Sequence, residues 1–138
     1  MGTPILRWLA ACSVAVATSS LAYAHHSIAG VYDTRREVAV EGVVKEFRFV
    51  SPHPFVRAEV VRNGVAEQWQ FDMDNRNEMG EIGMTAETLR AGDRIVVAGH
   101  PAHEEARRLY IQRFERPSDG FSYVIVDREP RLRKAPAR

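Results

Sequence analysis

The fold is decided by residues 37–50, which read EVAVEGVVKEFRFV. Valines alternate with small or charged residues through the first half of this stretch, at Val38, Val40 and Val44. A period of two is typical of a half-buried β-strand. Phe47 and Phe49 then carry the apolar face on the opposite parity. Because one extra residue moves every later side chain to the other face, this change predicts a long strand with a bulge or a sharp coil.

Two more strands are predicted directly after this one. Residues 51–54 read SPHP and end the first strand, since two prolines cannot both lie in a central ladder. Apolar residues alternate again over residues 55–61 and 65–72. Asn63 and Gly64 stand between these segments, and this pair is the strongest short-range signal of a hairpin. The second and third strands are therefore predicted to form a β-hairpin.

The remaining sequence predicts one short helix and two further strands. Residues 73–84 are polar and contain glycine, so we interpret them as a loop. Thr85 begins a segment that resembles a short capped helix, and Gly92 closes it. A buried strand is expected over residues 93–99 and a last strand over residues 108–115.

The order of these elements predicts an all-β fold with one short helix. Five strands, the first long and coiled, with a helix between the third and the fourth, match a small OB-like barrel of five to six strands. An open sandwich of five or six strands is the competing arrangement. The sequence lacks the long periodic helices that a parallel βαβ sheet needs, which excludes that class.

The N-terminal residues 1–24 are predicted to be a cleavable signal peptide. Arg7 supplies the positive charge, and residues 8–17 form an uncharged run too short to cross a bilayer as a helix. Residues 22–24 (AYA) place small side chains at the −3 and −1 positions of a cut before His25. The protein is therefore expected in the periplasm or outside the cell.

A second cleavage pattern overlaps the first. Residues 9–12 (LAAC) match the site at which bacterial lipoproteins are cut and acylated on cysteine. Only residues 8–11 would then separate Arg7 from Cys12, far fewer than the roughly 7–15 apolar residues that an h-region requires. We therefore favour the cut before His25, which removes Cys12 with the signal peptide.

Cleavage would leave an OB-like domain over residues 25–116 and a basic tail over residues 117–138 that is predicted to be mobile. The whole chain has 19 lysines and arginines against 18 aspartates and glutamates, and the loss of Arg7 balances the two signs. No net field then favours nucleic acid or an anionic membrane, so we expect no nucleic-acid partner and no stable membrane insertion. Without cysteine, the domain is expected to rely on its apolar core.

Three of the five histidines predict a metal site. A cut before His25 creates a free α-amino group, whose pKa of ~7.7–8.0 leaves part of it deprotonated near neutrality. This amine and the His25 imidazole can chelate one metal ion. His53, between two prolines, is the first choice for a second imidazole, and His26 is the fallback. Three nitrogens in this arrangement form a histidine brace that suits Cu(II), so copper is the predicted cofactor.

Two other groups have metal-binding chemistry but are assigned to the structure of the domain. His100 and His103 are spaced like a zinc ligand pair, yet no third ligand of matching spacing accompanies them. Methionine thioethers favour Cu(I), but flexible methionines more often fill an irregular core edge. We assign this packing role to Met73, Met79 and Met84.

No catalytic motif is present in the sequence, so the protein is not predicted to be an enzyme. A group of acidic residues around the central loop is expected to be solvated: Asp72, Asp74, Glu78 and Glu81. The alternative to metal binding is a non-enzymatic OB-like module that docks a protein or glycan partner on exposed aromatic rings. The rings considered are Phe55, Trp69 and Tyr110, although the alternation around Trp69 favours the core.

The order of several short motifs resembles one known family. These motifs are His25-His26-Ser27, Gly42-Val43-Val44, Pro52-His53, Trp69, Leu89-Arg90-Ala91-Gly92-Asp93 and Ile95-Val96-Val97-Ala98-Gly99. Together they resemble an exported bacterial domain-of-unknown-function family, number 6152, over residues 24–115. Members of that family typically show Asn-Pro-His at the corner, where this chain has Ser51. The resemblance implies a small secreted β-domain and brings no established activity, substrate or cofactor.

Overall fold

The structure, a computed structural model, describes residues 27–133. The chain divides into two units, Met1–Val31 and Tyr32–Arg138. The described part of the first unit is one short helix, α1 (Ser27–Val31). The predicted signal peptide lies outside the described residues. Within the part of the chain that is described, no helix is long and apolar enough to span a membrane.

Five strands of the second unit form a closed barrel. In chain order they are β1 (Val38–Arg48), β2 (Phe55–Arg62), β3 (Val65–Asp72), β4 (Arg94–Pro101) and β5 (Arg108–Arg116). The strands pair antiparallel in the order β3-β2-β1-β4-β5, and a parallel pairing of β3 with β5 closes the barrel. A short helix, α2 (Arg76–Glu81), lies in the connection from β3 to β4. This arrangement confirms the predicted OB-like barrel.

Strand β1 is long because it serves two neighbours. Its first half pairs with β4, from Val38 opposite Gly99 to Val43 opposite Arg94. Its second half pairs with β2, and the register of this pairing shifts after Val44. The irregularity confirms the bulge that the change of parity predicted. It allows one strand to curl from one side of the barrel to the other.

The hairpin between β2 and β3 also follows the prediction. Asn63 and Gly64 both have positive φ angles, of 52° and 78°, as a two-residue hairpin turn of type I′ requires.

Inward-facing side chains from all five barrel strands form the core. Its members include Val44, Val56, Phe71, Ile95, Val97, Leu109 and Ile111.

The position of the helix differs from the prediction. The loop expected over residues 73–84 contains α2, whose start is capped by the Asn75 side chain, which accepts a hydrogen bond from the Asn77 amide at 2.7 Å. The helix expected after Thr85 is a series of turns. There the Thr88 hydroxyl accepts a hydrogen bond from the Thr85 amide at 2.8 Å. The threonines thus bond locally to the backbone of a turn, which competes with helix formation.

The prediction of a mobile tail over residues 117–138 also needs correction. Much of its described part forms two more strands, β6 (Phe121–Val126) and β7 (Glu129–Arg133). Strand β6 pairs antiparallel with β5, and β7 pairs with β6. The rings of Phe121 and Tyr123 lie 5.9 and 5.6 Å from the ring of Phe114. These contacts with β5 hold the segment in the sheet, so the folded domain continues past β5.

Candidate functional site

The connection between β1 and β2 presents an exposed histidine on a fixed backbone. His53 lies between Pro52 and Pro54, and we call these three residues the His53 corner. The Pro52 carbonyl accepts a hydrogen bond from the Arg76 amide at 3.0 Å, and the Pro54 carbonyl accepts one from the Met73 amide at 3.0 Å. Each proline ring also fixes its own φ angle. The backbone of His53 is therefore held on both sides, while the residue remains open to solvent.

Arg76, the first residue of α2, strengthens this attachment. Its Nε donates a hydrogen bond to the Phe49 carbonyl at 3.4 Å, and its guanidinium carbon lies 4.9 Å from the centroid of the Phe49 ring. Such a cation–π contact adds a modest attraction. Together with the hydrogen bond from the Arg76 backbone amide to the Pro52 carbonyl, these contacts attach the start of α2 to the His53 corner.

Acidic side chains lie within electrostatic reach of His53. Partial burial raises the pKa of the Glu78 carboxyl, and the negative charges of Asp74 and Glu81 raise it further, while His53 acts in the opposite direction. Across residues 27–133, none of these three carboxylates forms an ion pair with lysine or arginine. Carboxylates without an ion-pair partner among the described residues therefore lie on the same connection as Arg76, and one of them, Glu78, interacts electrostatically with His53.

The predicted metal ligands are only partly covered by the structure. His53 lies among the described residues, whereas His25 and His26 lie outside them, as does Cys12. Over residues 27–133, no three histidine, cysteine, aspartate or glutamate side chains are grouped so that they could hold a metal ion. A copper site that uses His25 and His26 therefore stays a prediction.

The other histidines and the methionines do not join the His53 corner. His100 lies on β4, where its Nδ1 is 2.7 Å from the Arg36 carbonyl oxygen. His103 is exposed in the connection from β4 to β5. The three methionines considered as Cu(I) ligands are at most 1% exposed and belong to the core, which supports the packing role expected of them: Met73, Met79 and Met84.

A buried polar cluster lies where β3 and β5 close the barrel. Asp72 is 9% exposed, so the prediction that it is solvated is wrong. Its carboxylate accepts hydrogen bonds from the Tyr32 hydroxyl at 2.7 Å, the Gln70 amide at 2.9 Å and Arg108 Nε at 2.5 Å. Burial and the Asp72 carboxylate raise the pKa of Tyr32 above its usual range. No sequence motif marks this cluster, because Tyr32 and Arg108 lie far from Asp72 along the chain.

A groove of about 540 Å³ lies where β2, β3 and the β4–β5 connection meet. We call it the arginine groove, and it is lined by Arg57, Gln68, Trp69, Gln70, Glu105, Ala106, Arg107 and Arg108. Its volume is in the range of small-molecule sites, roughly 300–1,000 Å³. No sequence pattern indicates this groove, because its walls come from separate segments of the chain.

The aromatic patch expected from the sequence is not formed. Trp69 and Tyr110 are only 3% and 5% exposed. Phe55 is half-buried, and the guanidinium carbon of Arg57 lies 5.3 Å from the centroid of its ring. The guanidinium carbon of Arg62 lies 5.6 Å from the Trp69 ring. The ring faces that would stack on a ligand are therefore buried or covered by arginine.

Strand order, parallel closure and the helix between β3 and β4 together define an OB-like barrel domain. The chain belongs to a family of unknown function, DUF6152, whose model matches residues 12–109. This match confirms the family that the sequence motifs indicated. No curated protein matches the chain.

Two solved structures are similar to parts of this chain. The mitochondrial single-stranded DNA binding protein Rim1 from S. cerevisiae is 14% identical, with a TM-score of 0.44, and the match covers 58% of this chain and 91% of that chain. The ZRD-deleted mutant of TiaS, in complex with agmatine, is 14% identical, with a TM-score of 0.43. That match covers 73% of this chain and 26% of that chain, so this chain spans about a quarter of its length.

Proposed function

We propose that this protein is a small exported, periplasmic metal-binding protein and that its metal is copper. The ligands are the α-amine and imidazole of His25, freed by signal cleavage, and the imidazole of His53. His26 is the remaining candidate. The observation that supports the proposal is the His53 corner, where an exposed histidine stands on a backbone held at both sides.

The rigidity of the corner matters because metal binding orders its ligands. A side chain on a backbone that is already fixed loses less conformational freedom when the metal arrives, so more of the coordination energy becomes affinity. The amine and imidazole of a single N-terminal histidine are joined covalently, which limits the freedom they lose. Three nitrogens with one open position suit Cu(II) in a square-planar geometry.

The charge around the corner supports the same proposal. Burial is the main cause of the raised pKa of the Glu78 carboxyl, the charges of Asp74 and Glu81 raise it further, and His53 lowers it. A cation bound at His53 would interact favourably with the Glu78 carboxylate, which already interacts with the His53 side chain. Divalent copper is therefore favoured over an anionic or neutral ligand at this corner.

The test uses the full chain, expressed with its own N-terminal residues and recovered from the periplasm of a bacterial host. Intact mass shows whether His25 is the first residue. Titration calorimetry with Cu(II) is expected to give a Kd below about 1 μM, and His53→Ala is expected to weaken binding at least about tenfold, or about 1.4 kcal/mol. His103→Ala removes another exposed histidine and is the matched control.

Two outcomes with the wild-type protein and His25→Ala contradict the copper proposal. One is binding of micromolar strength or weaker that His25→Ala leaves unchanged. The other is a mass that corresponds to cleavage and acylation at Cys12, since the α-amine of His25 is then blocked by the preceding peptide bond. Equal losses of Cu(II) affinity in His53→Ala and His103→Ala would show that any exposed histidine binds the metal.

The second candidate function is a non-enzymatic OB-like module that binds a protein or glycan partner. The observation that favours it is the arginine groove, which lies on β2 and β3 rather than at the His53 corner. This groove replaces the aromatic patch as the support for a binding module. The two candidates concern different parts of the barrel and are tested separately.

A further inference from the structure

The arginine groove lies on the part of an OB barrel that commonly binds extended ligands. In this fold, the face of the second and third strands, with the loop between the fourth and fifth, binds oligosaccharides and oligonucleotides. Here the walls are Arg57 on β2, residues 68–70 on β3 and residues 105–107 in the β4–β5 connection. Identifying the ligand class of this groove makes the second candidate function more specific. The inference below rests on that function.

The lining of the groove contains more arginines than acidic residues. Three guanidinium groups line it against one carboxylate, that of Glu105. Arg57 pairs with Glu46 at 3.2 Å and Arg107 pairs with Glu67 at 3.4 Å, but neither glutamate is among the lining residues. Because each arginine is already ion-paired, an anionic group in the groove binds through the guanidinium donors that these glutamates leave unused.

Arg57 and Arg107 still have hydrogen-bond donors to offer. Their side chains are 57% and 60% exposed, and each uses one terminal nitrogen on its glutamate. A guanidinium has five N–H donors in a planar fork that matches a carboxylate. Arg108 differs, because Asp72 and Glu105 hold its Nε and Nη1 at 2.5 and 2.6 Å. It is therefore the fixed arginine of the groove.

Neutral polar groups complete the groove. Gln68 is exposed, and the Gln70 side chain donates from Nε2 to Asp72 at 2.9 Å, which leaves its amide oxygen as an acceptor. Amide groups of this kind donate to and accept from hydroxyls. A ligand that carries both carboxylates and hydroxyls satisfies the arginines and the glutamines together.

Nucleic acid fits the groove poorly. Single strands bind OB barrels largely by stacking their bases on exposed aromatic rings. Among the described residues that line the groove, Trp69 is the one aromatic, and it is 3% exposed beneath Arg62. Phe55, beside the groove on β2, is covered by Arg57. Bases would therefore find no stacking platform, whereas the carboxylates and hydroxyls of a sugar can bond to the arginines and glutamines.

We propose that the arginine groove binds an acidic oligosaccharide. Its carboxylates pair with Arg57 and Arg107, and its hydroxyls bond to Gln68 and Gln70. Arg108 limits how deeply the sugar enters, since its own guanidinium is already held by two carboxylates.

The test is calorimetric titration of the full chain with trigalacturonate. The fully methyl-esterified trisaccharide is the ligand control, because it keeps the rings and hydroxyls but lacks the charge. The double variant Arg57→Gln/Arg107→Gln is compared with Arg94→Gln/Arg113→Gln. The control arginines are similarly exposed, at 70% and 56%, are also ion-paired, and lie outside the groove. We expect about tenfold weaker binding for the ester and for the groove variant, and a change within about twofold for the control variant.

Each other outcome overturns the inference in a recognisable way. Equal losses in the two double variants would mean that positive charge anywhere on the surface is sufficient. If the methyl ester binds as tightly as trigalacturonate, and its binding still depends on Arg57 and Arg107, the ligand is not an acidic saccharide. The proposal of a binding module would then remain valid. A single-stranded oligothymidine that binds more tightly than trigalacturonate would assign the groove to nucleic acid. Failure of both saccharides to bind would also remove the glycan from the second candidate function.

Discussion

Two buried tyrosines show how the same hydroxyl group can stabilise or destabilise the fold. Tyr32 is 6% exposed, and its hydroxyl donates to Asp72 at 2.7 Å. Tyr123 is fully buried, and its hydroxyl has no hydrogen-bond partner among the described residues. A hydrogen bond to a charged group contributes about 1.5–3 kcal/mol, whereas an unsatisfied buried hydroxyl costs about 1–3 kcal/mol.

Replacing each tyrosine by phenylalanine is predicted to change the free energy of unfolding in different directions. Tyr32→Phe is expected to lower the free energy of unfolding by about 1.5–3 kcal/mol, because it leaves Asp72 with one bond fewer. Tyr123→Phe is expected to leave it unchanged or raise it, because it removes a polar atom that has nothing to bond to. Urea denaturation with equal m-values checks both. Similar losses in the two variants would show that the Tyr123 hydroxyl is satisfied in solution.

At the scale of single residues, the sequence could point to some positions and not to others. His53 was recognisable because the two prolines that mark its corner are its own neighbours in the chain. Asp72 was not, since its burial depends on Tyr32 and Arg108, which only the closed barrel brings to it. Arg57 on β2 and Arg107 in the β4–β5 connection likewise become one groove only after folding.

At the scale of elements, the pairing of β4 with β5 depends on one glycine. The register of this pairing shifts between Ala98 and Gly99. A Cβ atom added to Gly99 would overlap the Tyr110 carbonyl oxygen and lie 2.9 Å from its carbon. Backbone atoms of a neighbouring strand cannot move aside as a flexible side chain can. Gly99 therefore permits the close approach of the two strands at this bulge.

Two glycine substitutions are expected to act in opposite directions. Gly99→Ala should destabilise the barrel by about 1–3 kcal/mol or more, because the strands must separate. Gly80→Ala, in α2, should stabilise by about 0.5–1 kcal/mol, since its Cβ would meet nothing within 4 Å and alanine favours helix. Thermal denaturation of the two variants checks the signs. A neutral Gly99→Ala would contradict the close approach.

The elements that could be predicted are those whose signal is local. The bulge of β1 follows from a change of parity within one strand, and the first hairpin from Asn63 and Gly64. The turn from β6 to β7 has the same left-handed geometry, but Asp127 and Arg128 adopt it, with φ angles of 53° and 69°. Residues other than glycine rarely do so, and the second hairpin therefore carried no sequence signal.

At the scale of the whole molecule, β6 belongs to the core of the barrel domain. Phe121 and Tyr123 are 7% and 0% exposed and join the cluster that fills the barrel. Phe114, on β5, contacts both rings. A domain of this size is stable by only about 5–15 kcal/mol, and losing one large buried aromatic costs about 3–5 kcal/mol.

A chain that ends after Arg116 is therefore expected to lose cooperative unfolding. It lacks both aromatic side chains, and residues 113–116 of β5 lose their pairing with β6. Circular dichroism during heating measures the transition, and size-exclusion chromatography measures association. Phe121→Ala, in the full chain, should lower stability by about 3–5 kcal/mol and shows the same dependence without truncation. An unchanged midpoint of thermal unfolding in the truncated chain would show that residues 117–138 do not contribute to the stability of the domain.

The last strand of the sheet also decides how this domain behaves beside its own copies. Over residues 27–133, β7 pairs with β6 and no other strand. Its residues alternate between the exposed Glu129, Arg131 and Arg133 and the half-buried Pro130 and Leu132. Charged side chains and a proline that has no N–H to donate discourage a further strand from adding to a sheet. We therefore expect β7 to resist the addition of a strand from a neighbouring copy, so that strand-by-strand aggregation is disfavoured when many copies are crowded together.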